Sequence, residues 1–394
     1  MKAEKLLYLD AIRGLAALTV VFSHLVLVFY PHMKLASLAA TDMNSFAGWI
    51  AMTPLSIWHE GDFAVHIFFV LSGLVLSLSF FKSRDREKAI SGAVRRYFRL
   101  TLPIFATVML AYLLHRNDLF FNDQVAAQIT NDWLAPFYKF DPSVLLFLKE
   151  GLYGAILNFN PDHSYANVLW TMEVEFLGSL FVFGFLYCFG NANYRPMAYV
   201  AFLAILLTTT GPPFMADFLL GIILCDLLIN KNKLFKLPFW LSLVFILAGL
   251  FLGGLRQEWL ALPGARYWDS IGAVLVIVGV SSNVRLRGVL QLPMLSFLGK
   301  ISFSLYLIHW LVLMSLGCGF YILMQNYGFS HDLNALAAGF ICVPASIVLA
   351  WLFYHCADRP AIWLSHAVYR RLRRQGGIKL FRSQAADPDR ILPA

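Results

Sequence analysis

The stretch YLDAIRGLAALTVVFSHLVLVFY, residues 8–30, decides how this chain is read. Its apolar run is long enough to cross a bilayer as a helix, for which about 20 residues suffice. Yet it holds Arg13 and His24, both costly inside hydrocarbon. Eleven positions apart, they return to within about 20° of the same helix face and stand roughly 16 Å apart along the axis. They would line one route from the first turns of the helix to mid-membrane or past it. The bland alternative is that Arg13 snorkels to the headgroups while His24 bonds a neighbouring helix. Asp10, three residues before Arg13, can pair with it on that face and lower its cost.

Outward from this stretch the apolar pattern recurs. The chain of 394 residues is 59% hydrophobic and 14% charged, with a mean hydropathy of +0.67, which excludes an ordinary soluble domain. Runs of about span length fall at 11–30, 63–81, 98–115, 169–189, 197–210, 214–230, 238–255, 268–282, 301–325 and 334–355. They predict an all-α polytopic membrane protein, a bundle of about ten transmembrane helices.

Basic residues crowd every other connection. Lys2 and Lys5 precede the first span, and Lys82, Arg84, Arg86, Lys88, Arg95, Arg96 and Arg99 follow the second. Lys231, Lys233 and Lys236, then Arg285 and Arg287, then Arg370, Arg371, Arg373 and Arg374 follow the sixth, eighth and last. That alternation predicts both termini on the cytoplasmic side. The net charge of +8 is then a topology signal and needs no nucleic-acid partner. The five cysteines include no CxxC pair and read as small apolar fillers. No cleavable signal pattern precedes the first span, which is expected to serve as its own signal. The piece VLLFLKEGLYGAIL, residues 144–157, is too short to cross and reads as interfacial or re-entrant. One membrane domain over 1–360 is expected, followed by a basic polar tail over 361–394.

Further polar residues punctuate the spans. In RRYFRL, Arg96 and Arg99 stand at i and i+3, so two guanidinium forks share a face and could hold a phosphate or pyrophosphate. They equally fit the ordinary basic collar below a membrane helix. In LWTMEVEF, Glu173 and Glu175 point about 200° apart, and the deeper Glu175 is the better partner for His24. In GKISFSLYLIHW, Ser302, Tyr306 and His309 form one polar stripe, a wet lining or a set of interhelical hydrogen bonds. No GxSxG, GxxxxGK[ST] or HExxH occurs, so an elbow hydrolase, a nucleotide-driven pump and a zinc hydrolase lose support, and no metal is predicted.

Taken in order, LDAIRGLAAL, IFFVLSG, RRYFRL, LWTMEVE, LGKISFSLYLIHW and the DRPA of Asp358 to Ala361 resemble the acyltransferase-3 family along most of the chain. The sequence departs from the commoner pattern at His66, where many members hold an acidic residue, and at TMEVEF. The resemblance implies a plasma-membrane (inner-membrane) O-acyltransferase taking an acyl group, most often acetyl, from cytoplasmic acetyl-CoA. The acceptor would be a hydroxyl of a glycan or related molecule on the outer side. It marks Arg13 and His24 as the first-helix pair, Arg96 and Arg99 as the RxxR, and Glu175 as the glutamate after LW.

These expectations combine into a mechanism. Acyl-CoA phosphates cannot be desolvated in hydrocarbon, so Arg96 and Arg99 would hold them at the inner face while the pantetheine arm threads past Arg13. His24 would be the general base, oriented by Glu175. An acyl-enzyme relay through His24 or Ser23 is the variant. Asp10, Ser302, Tyr306 and His309 would line the pore or its acceptor end. The competing class is an ion-coupled secondary transporter or a flippase in an envelope-glycan pathway, since buried Arg, His and Glu also mark permeation routes.

Overall fold

The computed structural model describes residues 6–34, 50, 53–208, 212–230, 236–255 and 267–374, and is helical, with no strand among the described residues. Lys2, Lys5, Lys231, Lys233 and residues 375–394, which carry part of the orientation pattern and most of the tail, lie outside the described residues. The helices are α1 (Leu7–Phe29), α2 (Gly61–Ser83), α3 (Arg86–Arg116) and the short α4 (Asn122–Ile129). The bent α5 runs over 144–157, then come α6 (Trp170–Phe189), α7 (Arg195–Leu207), α8 (Phe214–Asn230) and α9 (Phe239–Gly253). α10 (Trp268–Ser281) and α11 (Val284–Leu290) precede α12 (Pro293–Val312), which continues through a π-helical turn at Leu313–Gly317 to Asn326. α13 (His331–Phe353) passes through another, Tyr354–Asp358, into an extension, Arg359–Arg374.

Each of the ten apolar runs overlaps a helix among the described residues, but the count of about ten spans does not follow. Among the described residues six helices are long and apolar enough to cross a membrane: α1, α2, α3, α6 with its lead-in, and the prolonged α12 and α13. α10 and α11 form a pair bent by 102° that would make a seventh. α7 and α9 are apolar but only 13 and 15 residues long, less than the roughly 30 Å of hydrocarbon requires at 1.5 Å per residue. A hydropathy run counts apolar residues; it does not see where a helix stops.

α3, with 31 residues, is about 46 Å long, so one end projects past the hydrocarbon. Asp85 caps it by accepting the Glu87 N–H at 2.9 Å. At this basic end the Arg287 guanidinium lies 6.0 Å from the Tyr8 ring, Arg84 pairs with Asp226 at 3.6 Å, and Arg373 reaches Glu87 at 3.1 Å. At the opposite end Tyr30 donates to Asp332 and Asn131 donates to the Leu27 and Val28 carbonyls.

The closest helix contacts are made through glycine, as expected where lipid gives no hydrophobic drive and backbone approach supplies the attraction. A Cβ on Gly14 of α1 would fall 2.5 Å from the Gly299 backbone nitrogen of α12, and one on Gly299 would fall 2.4 Å from the Asp10 carbonyl oxygen. Gly73 of α2 and Gly221 of α8 interlock in the same way, each 2.2 Å from a carbonyl of the other helix. Gly14→Ala is therefore expected to push α1 off α12 and cost about 1–3 kcal/mol. An unchanged unfolding midpoint in lipid nanodiscs would show that the two helices tolerate separation.

Residues 144–157 form a helix with a π-helical turn at Glu150–Gly154. Glu150 is buried there, accepting the Ser164 hydroxyl at 2.5 Å and the Tyr165 N–H at 2.9 Å. Burial outweighs these donors and pushes its carboxyl up to about 7. The folded chain thus keeps a proton that the unfolded chain has lost between its ordinary value and pH 7. Stability falls as pH rises through that window and levels above it. Glu150→Gln is expected to remove on the order of 3 kcal/mol of this slope between pH 5 and 8, read from denaturant midpoints; parallel wild-type and variant profiles would refute it.

Candidate active site

α1, α2, α3, α6 and α12 meet around a cavity of about 140 Å³, room for on the order of ten waters. Arg13, Ser72, Arg96, Arg99, Glu175, Ser302 and Tyr306 bring polar groups to it between walls of Val65, Phe68, Phe69 and Phe303. Arg96 and Arg99 share the cavity face because they are one helical turn apart. Arg96 is ion-paired with Glu175 of α6, which also accepts the Ser72 hydroxyl at 2.8 Å. Arg99 is ion-paired with the buried Asp358 of α13, and its guanidinium lies 5.1 Å from the Phe303 ring. Arg13 sits in the combined field of Glu175 and Asp10. Three guanidinium groups thus converge on a space walled by phenylalanine, where each charge acts far more strongly than in water.

Further along α1 and α12 two imidazoles touch. His309 Nδ1 is 3.1 Å from the Leu305 carbonyl, and its Nε2 is 3.1 Å from His24 Nδ1. His24 Nδ1 is also 3.0 Å from the Val20 carbonyl. A carbonyl only accepts, so His309 carries its proton on Nδ1 and offers the Nε2 lone pair to the His24 Nδ1–H. That assignment leaves His24 Nε2 with a free lone pair. Trp310 meets the His24 ring edge-on at 5.3 Å and Trp133 lies 6.4 Å away. The Tyr306 ring, 5.9 Å from His309, joins the pair to the cavity, with its hydroxyl held at 2.9 Å by the Val168 carbonyl and 2.7 Å from Thr171. The spacing has a simple origin. Gly14 and Gly299 form the crossing, and each histidine lies ten residues beyond its glycine.

A family profile described as an acyltransferase domain, that of the acyltransferase-3 family, matches residues 6–355. The chain belongs to this family. Over 110 residues it is 28% identical to "Acyltransferase R4" of Phoma sp., covering 27% of this chain and 24% of that protein. Over 106 residues it is 31% identical to "Acyltransferase clz18" of Cochliobolus lunatus, covering 27% of this chain and 20% of that protein. The chain thus spans about a quarter or less of the length of the curated relatives it matches. No solved structure matches it. The match and the long apolar helices make it a multi-pass membrane protein.

Of the residues singled out in this acyltransferase-3 chain, Arg13, Arg96, Arg99, Glu175, Ser302 and Tyr306 come together at the cavity, and His24 and His309 come together beside it. Asp10 stays outside the lining, half-buried on the first turn of α1. The pairing of Glu175 with His24 is corrected. Among the described residues the Glu175 carboxylate is hydrogen-bonded to Ser72 and Arg96, while His24 is bonded to His309. Glu173 turns away and accepts the Phe159 N–H at 3.3 Å. Ser23 is buried against Gly61, whose Cβ position is 2.6 Å from its hydroxyl, and does not line the cavity. Nothing local in the sequence marks Ser72 or Thr171 as a cavity residue, and Asp358 stands in it only as part of DRPA. The matching ten-residue steps from Gly14 to His24 and from Gly299 to His309 were the available signal for the imidazole pair.

Proposed function

We propose that the chain is an O-acyltransferase that takes an acyl group, acetyl in the first instance, from cytoplasmic acyl-CoA and places it on a hydroxyl of an extracytoplasmic glycan or related acceptor. The observation that carries the reading is the imidazole pair beside an arginine-lined cavity, in a chain of the acyltransferase-3 family. The basic end faces the cytoplasm in this reading, because excess Lys and Arg stay inside. Arg96 and Arg99 then stand at the mouth through which the thioester enters, and Arg13 lies on its way toward the histidines.

His24 Nε2 takes the proton from the acceptor O–H as the oxygen attacks the thioester carbonyl. The C–S bond of the tetrahedral adduct breaks, and the imidazolium returns that proton to the departing CoA thiolate. No net proton is consumed or released. His309, accepting from His24 Nδ1–H, holds the tautomer that keeps Nε2 basic and shares the charge while the imidazolium exists. Glu175 and Asp358 act one step away, aiming Arg96 and Arg99.

The test is transfer of radiolabelled acetyl from acetyl-CoA in inverted membrane vesicles, comparing wild type with His24→Ala and scoring base-labile label in glycan and lipid fractions. His24-dependent label is the expected result. Absence of CoA release by the wild type with acceptors present would remove the acyltransferase reading in favour of a transporter.

A further inference from the structure

The basic residues of the α13 extension, Arg359–Arg374, carry more than a topology signal. Arg359, Trp363, His366 and Arg370 stand at i, i+4, i+7 and i+11 of the α13 extension, one stripe of a helix. With Tyr354 and Ile362 they line an open cleft. Trp363 is 67% exposed, a large apolar face left to solvent. Arg359 and Arg370 have no ion-pair partner among the described residues.

Two features fix this cleft in place. The extension is clamped onto α3: the Arg95 guanidinium lies 2.8 Å from His366 Nε2, Tyr369 donates to Glu87 at 3.2 Å, and Arg373 pairs with the same carboxylate. The cleft also begins where the cavity's arginine clamp ends, since Arg99 of the cavity is ion-paired with Asp358 and Arg359 is the next residue. The prolonged α13, 44 residues from His331 to Arg374, would be about 66 Å long if straight. That is twice the hydrocarbon thickness, so the stripe stands beyond it.

Resting on the acyl-CoA reading, we infer that this cleft seats the nucleotide end of the donor, a 3′-phosphorylated adenosine diphosphate, with the base on Trp363 and the phosphates between Arg359 and Arg370. Aromatic faces take bases by stacking, and guanidinium forks take phosphates through paired charge-assisted hydrogen bonds. Arg96 and Arg99 then receive the inner, pantetheine end of the same molecule. A Trp and Arg stripe also suits anionic lipid headgroups. The nucleotide is favoured because the cleft starts at Arg359, the residue after the Asp358 that holds Arg99 of the cavity, and because Glu87 and Arg95 hold the helix against the protein.

The test uses the full chain in nanodiscs of phosphatidylcholine alone, with acetyl-CoA, 3′-dephospho-acetyl-CoA and S-acetylpantetheine as donors, and calorimetric binding of CoA beside turnover. Wild type is expected to prefer acetyl-CoA over S-acetylpantetheine in kcat/KM, and Arg359→Ala and Trp363→Ala each to shrink that preference about tenfold. Leu372→Ala, on the same helix but outside the lining, is the control and should keep it. Arg359→Lys retains the charge and serves if the alanine variant does not fold. Equal kcat/KM for the three donors in wild type, or full preference in both variants, would overturn the inference while leaving acyl transfer standing. So would an effect of the variants that appears only when phosphatidylglycerol is added, which would assign the cleft to headgroups. CoA binding that is weakened by Arg359→Ala, with no turnover of any donor, would keep the cleft and sink the acyltransferase reading instead.

Discussion

His24→Ala is expected to lower acyl transfer by about 10²–10⁴, the range that loss of a positioned base produces, which is roughly 3–5 kcal/mol of barrier. The Nε2 lone pair is the reason. With His309 Nδ1 held by the Leu305 carbonyl and His309 Nε2 facing His24 Nδ1, the His24 Nε2 is, among the described residues, the one imidazole nitrogen of the pair without a bond. Acyl-CoA binding should survive, because the arginines belong to the cavity one side of Tyr306 and the histidines to the other. His309→Ala should cost less, about 10–100-fold, because it acts through the orientation of its neighbour. The double variant should then be no slower than His24→Ala alone, the non-additivity shown by residues that work as a unit. Single-turnover transfer together with calorimetric CoA binding checks all of this. Near-normal turnover by His24→Ala would remove the base assignment outright.

What the sequence made legible follows from what is local. The face shared by Arg13 and His24, the adjacency of Arg96 and Arg99, and the stripe of Ser302, Tyr306 and His309 are consequences of 3.6 residues per turn. All of these residues reach the cavity or the histidine pair. The partner of each was not legible, since it is set by which helix lies opposite and at what height. Glu175 points inward as helix arithmetic requires, but it meets α2 and α3, so it finds Ser72 and Arg96. His24 finds His309 because the α1–α12 crossing at Gly14 and Gly299 sets the two helices in register. The span count is not reached for another local reason: among the described residues α7 and α9 are apolar enough but stop too early to cross. The extension of α13 looked like a polar tail because its charges face outward, while Tyr369 and Ser365 are buried.

Glu175→Ala should destabilise the protein by about 3–5 kcal/mol, the cost of stripping one partner from a buried ion pair. Glu175 is only 9% exposed, and the guanidinium it leaves behind, Arg96, shares the cavity with Arg13 and Arg99. Without the carboxylate, three positive charges would face one another in a space walled by phenylalanine. Ser72 would lose the acceptor it reaches at 2.8 Å. Glu175→Gln keeps that acceptor and the side-chain shape, so it isolates the charge and should fall between the two. The sharper comparison is the double variant Glu175→Leu with Arg96→Met. Replacing both ions by apolar groups of similar volume removes the desolvation cost along with the attraction, so stability should recover most of the loss. Donor binding should not recover, because Arg96 is absent. Unfolding midpoints and acyl-CoA affinity, measured on the same nanodisc preparations, separate the two effects. A double variant as unstable as Glu175→Ala would mean that the carboxylate supports the bundle through contacts other than Arg96, and its place in the donor site would have to be given up.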